Sequence, residues 1–250
     1  ILKGMALEKS YEDISRFVDL YAEELVGSRD VIVRVLASRR LDEAVSTLRS
    51  TQFGEAAEAA VKAFSDTKNF QVIDVYLDRA YYRTLLNGFL AERTDKRDLR
   101  ELLAVEIDAF NITAVLRARE WGLSPTEAEQ LIVEPEFKVP REILVALARA
   151  ESPAEAISQL DRTPYAGLVT QQDASNAGWI SLLEGKFEKL KIRAARRTFT
   201  WDIFSTSEAL GILKLIEYEI RALSSIAFGI EQKIPRNENM QKISSYLSES

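Results

Sequence analysis

The residues best suited to chemistry lie on one long apolar segment in the middle of the chain. Asp108 and Asn111 are three positions apart there. A second polar series consists of Glu106, Thr113 and Arg117. Side chains three or four positions apart share one face of a helix. Carboxylates gathered on such a face can ligate a metal ion or act as a general acid and base.

The segment that carries these side chains, residues 99–119, is apolar on several sides and predicts a helix buried by its neighbours all round. A buried carboxylate without a partner is strongly destabilising. Three interpretations stay open: a carboxylate active site or metal site, a hydrogen-bonded network between helical units, and the polar lining of a central opening. The network is favoured, because a diiron bundle needs Glu-x-x-His and magnesium-dependent prenyl chemistry needs a dense aspartate motif, and both are missing.

The composition removes most other chemistry. The chain has no cysteine and no histidine, which excludes the usual zinc sites, cysteine nucleophiles, histidine bases and the Ser-His-Asp triad. It has neither a GxxxxGK[ST] nor a GxGxxG loop to hold a nucleotide. A net charge of −6 argues against nucleic-acid binding. The basic residues between Lys189 and Arg197 are interpreted as a solvated helix face. Taken together, these features lead us to expect no cofactor, no metal and no nucleic acid.

The elements that position these residues are predicted to be helices throughout. Only 10 glycines and 6 prolines occur among 250 residues, and apolar residues recur at helical spacing. Three Ser-x-x-Glu sequences fit a helix-capping box, in which serine caps the first turn and glutamate reaches back. They begin at Ser124, Ser152 and Ser205. The sequence therefore predicts an all-α fold.

One stretch of the sequence occurs twice. Val31–Phe53 and Ile143–Tyr165 align without a gap at an offset of 112 (165 − 53), with identical residues at Glu43/Glu155 and Thr51/Thr163 among others. A repeat of this length indicates one folding unit used more than once.

The repeat extends into the polar helix. Glu106–Asp108 aligns with Glu217–Glu219, and Val115–Ala118 aligns with Ile226–Gly229, both at an offset of 111. Ile1–Gly4 matches the same helix end once more, at an offset of 114. We therefore expect three helical-bundle units with pseudo-threefold symmetry and a funnel-like shape. Their predicted bounds are 1–5 for the tail of the first, 6–121 for the second and 122–250 for the third with its C-terminal helix. The chain begins without methionine, so we expect an N-terminally trimmed fragment that lacks most of the first unit.

No apolar run reaches the ~20 residues that a membrane-spanning helix needs, and no signal peptide is visible. The sequence therefore predicts a chain that does not span a membrane.

The order of several motifs resembles a known family. EAxxxLxxTxY/F occurs at Glu43–Phe53 and Glu155–Tyr165, and LDxxYY, ExDxxNxxxxLR and a Gly-Leu-Ser helix start follow the first copy. These three lie at Leu77–Tyr82, Glu106–Arg117 and Gly122–Ser124. This combination is similar to the C subunit of archaeal and bacterial V-type (A-type) ATP synthases and to the d subunit of the vacuolar ATPase. Ala222 stands where the family's last helix carries asparagine.

The resemblance implies a non-catalytic rotor component of a rotary ATPase that transports protons or sodium ions and supports ATP synthesis. It implies a funnel whose wide end sits on the membrane proteolipid ring and whose narrow end receives the central shaft of the D and F subunits. The protein would then be peripheral, on the cytoplasmic face of the membrane, and would bind no nucleotide.

The expected partner-facing or inter-unit polar residues are Glu106, Asp108, Asn111, Arg117, Glu219 and Arg221. Two other functions stay open from the residues alone. One is a helical-repeat adaptor for unrelated proteins, and the other is a carboxylate enzyme built on a helical scaffold.

Overall fold

The structure is a computed structural model that describes residues 1–91, 97–199 and 206–237. Within these ranges every regular element is a helix, which confirms the predicted all-α fold. The elements in chain order are α1 (Leu2–Ala6), α2 (Tyr11–Ser15), α3 (Leu20–Leu25), α4 (Arg29–Ala37), α5 (Leu41–Leu48), α6 (Gly54–Thr67), α7 (Gln71–Ala91), α8 (Arg97–Glu120), α9 (Pro125–Gln130), α10 (Arg141–Arg149), α11 (Pro153–Leu160), a 3₁₀ turn (Asp173–Ser175), α12 (Trp179–Arg197) and α13 (Thr206–Glu231).

The chain folds into two compact units. The first comprises Ile1–Glu92 and Arg117–Glu134, and the second comprises Arg93–Leu116 and Pro135–Ser250. The helix α8 contributes to both, because the boundary falls between Leu116 and Arg117. The three sequence-defined units and their pseudo-threefold arrangement stay predictions.

The core of the first unit includes the pair α6 and α7, which pack against each other. The contact face of α6 consists of small residues, since Ala57, Ala60 and Ala63 are all buried. Small side chains let two helix backbones approach closely. The helix α7 contributes the buried branched residues Val72 and Ile73 to the core of this unit.

The centre of the second unit is α8. Every residue from Leu102 to Ile112 is buried, which corresponds to three full turns of helix. The predicted enclosure of residues 99–119 therefore holds for Leu102–Ile112, whereas Arg100 and Glu101 are exposed. Glu106, Asp108 and Asn111 all fall inside this buried stretch, so each must find its partners within the protein.

The two copies of the sequence repeat have the same local structure. The helix α4 starts at Arg29 and α10 starts at Arg141, an offset of 112 (141 − 29) that their last residues share. The helices α5 and α11 start at Leu41 and Pro153, which gives the same offset (153 − 41). The copies then diverge, because a 14-residue helix follows α5 whereas a loop with a 3₁₀ turn follows α11.

Identical residues in the two copies make identical hydrogen bonds. The carboxylate of Glu43 accepts the backbone N–H of Arg39 at 3.0 Å, and that of Glu155 accepts the N–H of Glu151 at 2.9 Å. The hydroxyl of Thr51 donates to the carbonyl of Leu48 at 2.7 Å, as that of Thr163 does to Leu160. The repeated glutamate and threonine therefore fix the two ends of the same short helix.

The capping predictions have different outcomes. Ser124 and Glu127 form the complete box ahead of α9. Ser152 caps α11 as expected, but Glu155 reaches one residue further back, to Glu151, and so does not complete the box. The third sequence begins at Ser205, which lies outside the described residues. In the part of the chain that the structure describes, no helix is both long enough and apolar enough to cross a membrane.

Candidate functional site

Asp108 is the anchor of the first polar cluster in the second unit. Its side chain is 0% exposed. One carboxylate oxygen accepts the hydroxyl of Tyr165 at 2.8 Å, and both oxygens lie within 3.4 Å of the backbone N–H of Lys138. Tyr165 follows α11 and packs edge-on against Phe187 of α12, with ring centroids 5.0 Å apart. A single carboxylate thus joins α8 to the loop before α10 and to the end of the second repeat copy.

The electrostatics of this cluster are dominated by burial. Burial raises the pKa of Asp108, and the hydrogen bonds from Tyr165 and Lys138 oppose that rise without cancelling it. Burial also raises the pKa of Tyr165, and the neighbouring carboxylate raises it further. Tyr165 therefore stays a protonated hydrogen-bond donor. The Tyr165 hydroxyl and the Asp108 carboxylate are hydrogen-bonded to each other.

Glu106 anchors the second cluster, on another face of the same helix. Its side chain is 2% exposed. The hydroxyl of Tyr218 donates to one carboxylate oxygen at 2.7 Å. The ammonium nitrogen of Lys191 on α12 and that of Lys214 on α13 each lie 3.7 Å from the carboxylate. Two cations and one hydroxyl from two different helices therefore surround this buried charge.

The charges continue outward from Glu106 in a balanced series. Lys191 pairs with Glu188 at 3.1 Å, and Lys214 pairs with Glu217 at 3.1 Å. Arg221 approaches both of these outer glutamates, at 3.9 Å and 2.5 Å respectively. These carboxylates and cations are equal in number, so their charges cancel. This network links α8, α12 and α13 through Glu106, although one oxygen of Glu188 is buried without a hydrogen bond.

The structure joins some of the predicted site residues and separates others. Glu106 and Arg221 belong to the same ion network, and Asp108 forms its own cluster with Tyr165 and Lys138. Asn111 is fully buried one turn further along α8. Arg117 lies beyond the unit boundary and pairs with Glu120 at 2.6 Å. Glu219 is exposed on α13.

Sequence reasoning missed five members of the Glu106 network: the direct partners Lys191, Lys214 and Tyr218, and the outer carboxylates Glu188 and Glu217. Lys191 belongs to the predicted solvated basic face, and that prediction is wrong for this residue because its side chain is only 12% exposed and pairs with Glu106. The spacing of Lys191 from Glu188 was a usable signal, because i,i+3 pairs of opposite charge meet on a helix. Arg193, Arg196 and Arg197 are exposed, as expected.

Among the described residues, no group of three or more acidic, cysteine or histidine side chains is arranged to hold a metal ion. The oxygens of Asp108 and Glu106 are directed at donors of the protein itself. The arrangement can therefore fix helices against one another, and its polar atoms form contacts inside the protein.

The sequence profile of the ATP synthase (C/AC39) subunit family matches residues 1–242. The chain belongs to this family. The resemblance found in the sequence motifs is thereby confirmed. In this chain the ExDxxNxxxxLR segment supplies both carboxylates of the two clusters on α8, and the second LxxTxY/F sequence supplies Tyr165.

Similar members of the C/AC39 family come from archaea and are named as the C subunit of A-type ATP synthase. The chain is 23% identical over 245 residues to the protein of Pyrococcus furiosus, covering 92% of this chain and 65% of that protein. It is 23% identical over 201 residues to that of Methanothermobacter thermautotrophicus, and the match covers 79% of this chain and 52% of that protein. The Methanocaldococcus jannaschii protein is 22% identical over 225 residues, and the match covers 86% of this chain and 56% of that protein. The chain thus spans little more than half to about two thirds of the length of these relatives.

We expect the replacement Asp108→Asn to change how stability depends on pH. Burial raises the pKa of Asp108, so the folded state binds this proton more tightly than the unfolded state. The free energy of unfolding of the parent therefore falls as the pH rises from the ordinary value of 3.8 through the raised pKa. Asparagine keeps an oxygen acceptor and does not ionise, so the variant should gain stability relative to the parent across that window.

Urea unfolding at a series of pH values measures this difference. Tyr165→Phe is the matched variant, because it removes a hydrogen bond that lowers the pKa of Asp108 and so should extend the parent's loss of stability to higher pH. Parallel curves for the parent and Asp108→Asn would contradict the assigned burial effect.

Glu106→Gln should reduce the free energy of unfolding by about 3 kcal/mol, near the lower end for removing one member of a buried ion pair. The lower end applies because Lys191 and Lys214 each keep a second glutamate. The control is Glu219→Gln on the exposed face of α13, with an expected change within about 0.5 kcal/mol. Equal effects of the two variants in urea titrations followed by circular dichroism would show that the Glu106 network contributes nothing.

Proposed function

We propose that the chain is part of a non-catalytic central-stalk subunit of a V-type/A-type rotary ATPase. In this role it passes rotation between the shaft of the D and F subunits and the proteolipid ring of the membrane sector. It lies at the cytoplasmic face of the membrane as a peripheral component, and it supports proton or sodium transport coupled to ATP synthesis. The observation that carries the proposal is the family match over residues 1–242.

The buried ion network supports a mechanical role. A component that transmits torque must not let its helices slide past one another. The Glu106 carboxylate accepts contacts from α12 and α13 simultaneously, so a shift of either helix by one turn would leave a buried charge without its partner. Losing a partner of a buried charge is strongly destabilising.

The outward face of α13 supports a helical partner. Its exposed apolar residues alternate at spacings of three and four positions, the pattern of a coiled-coil seam. The residues with this spacing are Leu213, Ile216, Ile220 and Leu223, each between 46% and 63% exposed, and Ile212, Phe228 and Ile230 are further exposed apolar residues of the same helix. An apolar stripe of this kind on a protein surface marks an interaction site.

The predicted site residues take different parts in this proposal. Glu219 stands beside the exposed seam of α13 and faces the partner. Glu106, Asp108, Asn111 and Arg221 stiffen the body behind the seam. Arg117 forms a polar contact at the end of α8.

Binding of the shaft tests the proposal. The chain should co-purify with recombinant D and F subunits from the same organism. The double variant Ile216→Glu/Ile220→Glu should weaken binding at least tenfold, because it places charge in the middle of the apolar seam. The matched control is Phe17→Glu, an exposed apolar residue of the first unit outside that seam. Isothermal titration calorimetry measures the dissociation constants.

Two results would overturn this function. The first is absence of binding to the D and F subunits by both this chain and the longer protein. The second is binding of unrelated helical proteins by the same seam with equal affinity, which would favour a helical-repeat adaptor.

A further inference from the structure

The exposed seam of α13 is bordered by negative charge. The seam consists of Leu213, Ile216, Ile220 and Leu223. At about 100° of rotation per residue, Glu217 and Glu219 fall on opposite sides of this row, so a carboxylate borders each flank. The cations Lys214 and Arg221 of the same helix fall further round, away from the middle of the row. The charges next to the seam are therefore acidic.

The two cations of α13 are occupied by the Glu106 network. Lys214 is buried and pairs with Glu106 and Glu217. Arg221 pairs with Glu217 at 2.5 Å and lies 3.9 Å from Glu188. Glu219 is exposed and has no ion pair with any other residue that the structure describes. The middle of the seam thus carries a carboxylate that no cation of the described chain offsets.

These charges decide between possible occupants of the seam. A second copy packed seam to seam would bring Glu217 and Glu219 close to the glutamates of its partner in either orientation. Such contact between like charges is unfavourable at an interface. An anionic membrane surface would meet the same repulsion. A helix with basic flanks meets attraction on both sides of the seam.

We infer that the α13 seam binds a basic amphipathic helix, with apolar residues at spacings of three and four and lysine or arginine beside them. This rests on the proposed function, since it states the chemistry of the shaft helix that meets the protein there. In paired helices the apolar positions supply the contact, and the charges that flank them set partner choice and orientation. Glu219 is the residue that most requires a cation from the partner.

Two synthetic peptides test the inference without the shaft. Each is a helix of three heptads with leucine at every a and d position. The lysine peptide carries lysine at every e and g position, and the glutamate peptide carries glutamate there. In isothermal titration calorimetry the lysine peptide should bind the chain roughly tenfold more tightly, because its charges complement the flanks of the seam. Its affinity should fall as salt is added, since salt screens exposed charges.

Two variants place the lysine peptide on the seam. Ile216→Ser/Ile220→Ser removes apolar contact without changing the charge, and it should abolish the binding. Glu219→Lys should weaken the lysine peptide about fivefold, the upper range for one exposed ion pair, and should strengthen binding of the glutamate peptide. The control is Asp66→Lys on α6 of the first unit, an exposed residue whose replacement changes the net charge equally. It should leave both affinities within about twofold of the parent, and circular dichroism should show that each variant keeps its helices.

Several results would overturn the inference. These are equal affinities of the two peptides, binding of neither, or a preference for lysine that survives Glu219→Lys. Dimerisation of the chain that Ile216→Ser/Ile220→Ser abolishes would also overturn it, because a second copy would then occupy the seam.

The rotor role can fail separately from this inference. If the lysine peptide binds the seam and the D and F subunits do not bind the protein, the basic partner stands and the rotor role falls. If the D and F subunits bind the parent and Glu219→Lys with equal affinity, the rotor role stands and the basic partner falls.

Discussion

The buried carboxylate of Glu106 is the constraint on which the second unit depends. A charge placed at the centre of a fully buried helix must be matched by donors from its neighbours. Lys191, Lys214 and Tyr218 meet that requirement from α12 and α13. Hydrophobic packing alone would allow these helices to meet at many registers, whereas the contacts of Glu106 with Lys191, Lys214 and Tyr218 favour one.

The Asp108 cluster imposes a second, separate constraint on the same helix. Its donors come from a loop and from the end of the repeat copy, so α8 is fixed on one face by charges and on another by hydrogen bonds. The two repeat copies separate the hydrogen bonds that depend on local sequence from those that depend on a partner elsewhere in the fold. Thr51 and Thr163 make the same local bond, while Phe53 and Tyr165 differ according to what each faces.

Much of the fold follows from the sequence, because helix caps and apolar spacing act over a few residues. The cap at Ser124 and the start of α11 after Ser152 are local consequences of this kind, and the apolar residues of α8 on several sides indicate that it is buried. The partners of Glu106 are different. Tyr218 is far along the chain, on α13, and no local pattern indicates which lysine will reach a buried glutamate from another helix. The sequence could show that Glu106 needed partners, but only the packing of α12 and α13 shows which they are.

The Glu106 network also responds to heat in a way that its apolar surroundings do not. Hydration of ions becomes less favourable as temperature rises, so the penalty for keeping charges away from water shrinks. The apolar contribution per unit area meanwhile levels off. The Glu106 network between α8, α12 and α13 therefore contributes a growing share of the second unit's stability on warming.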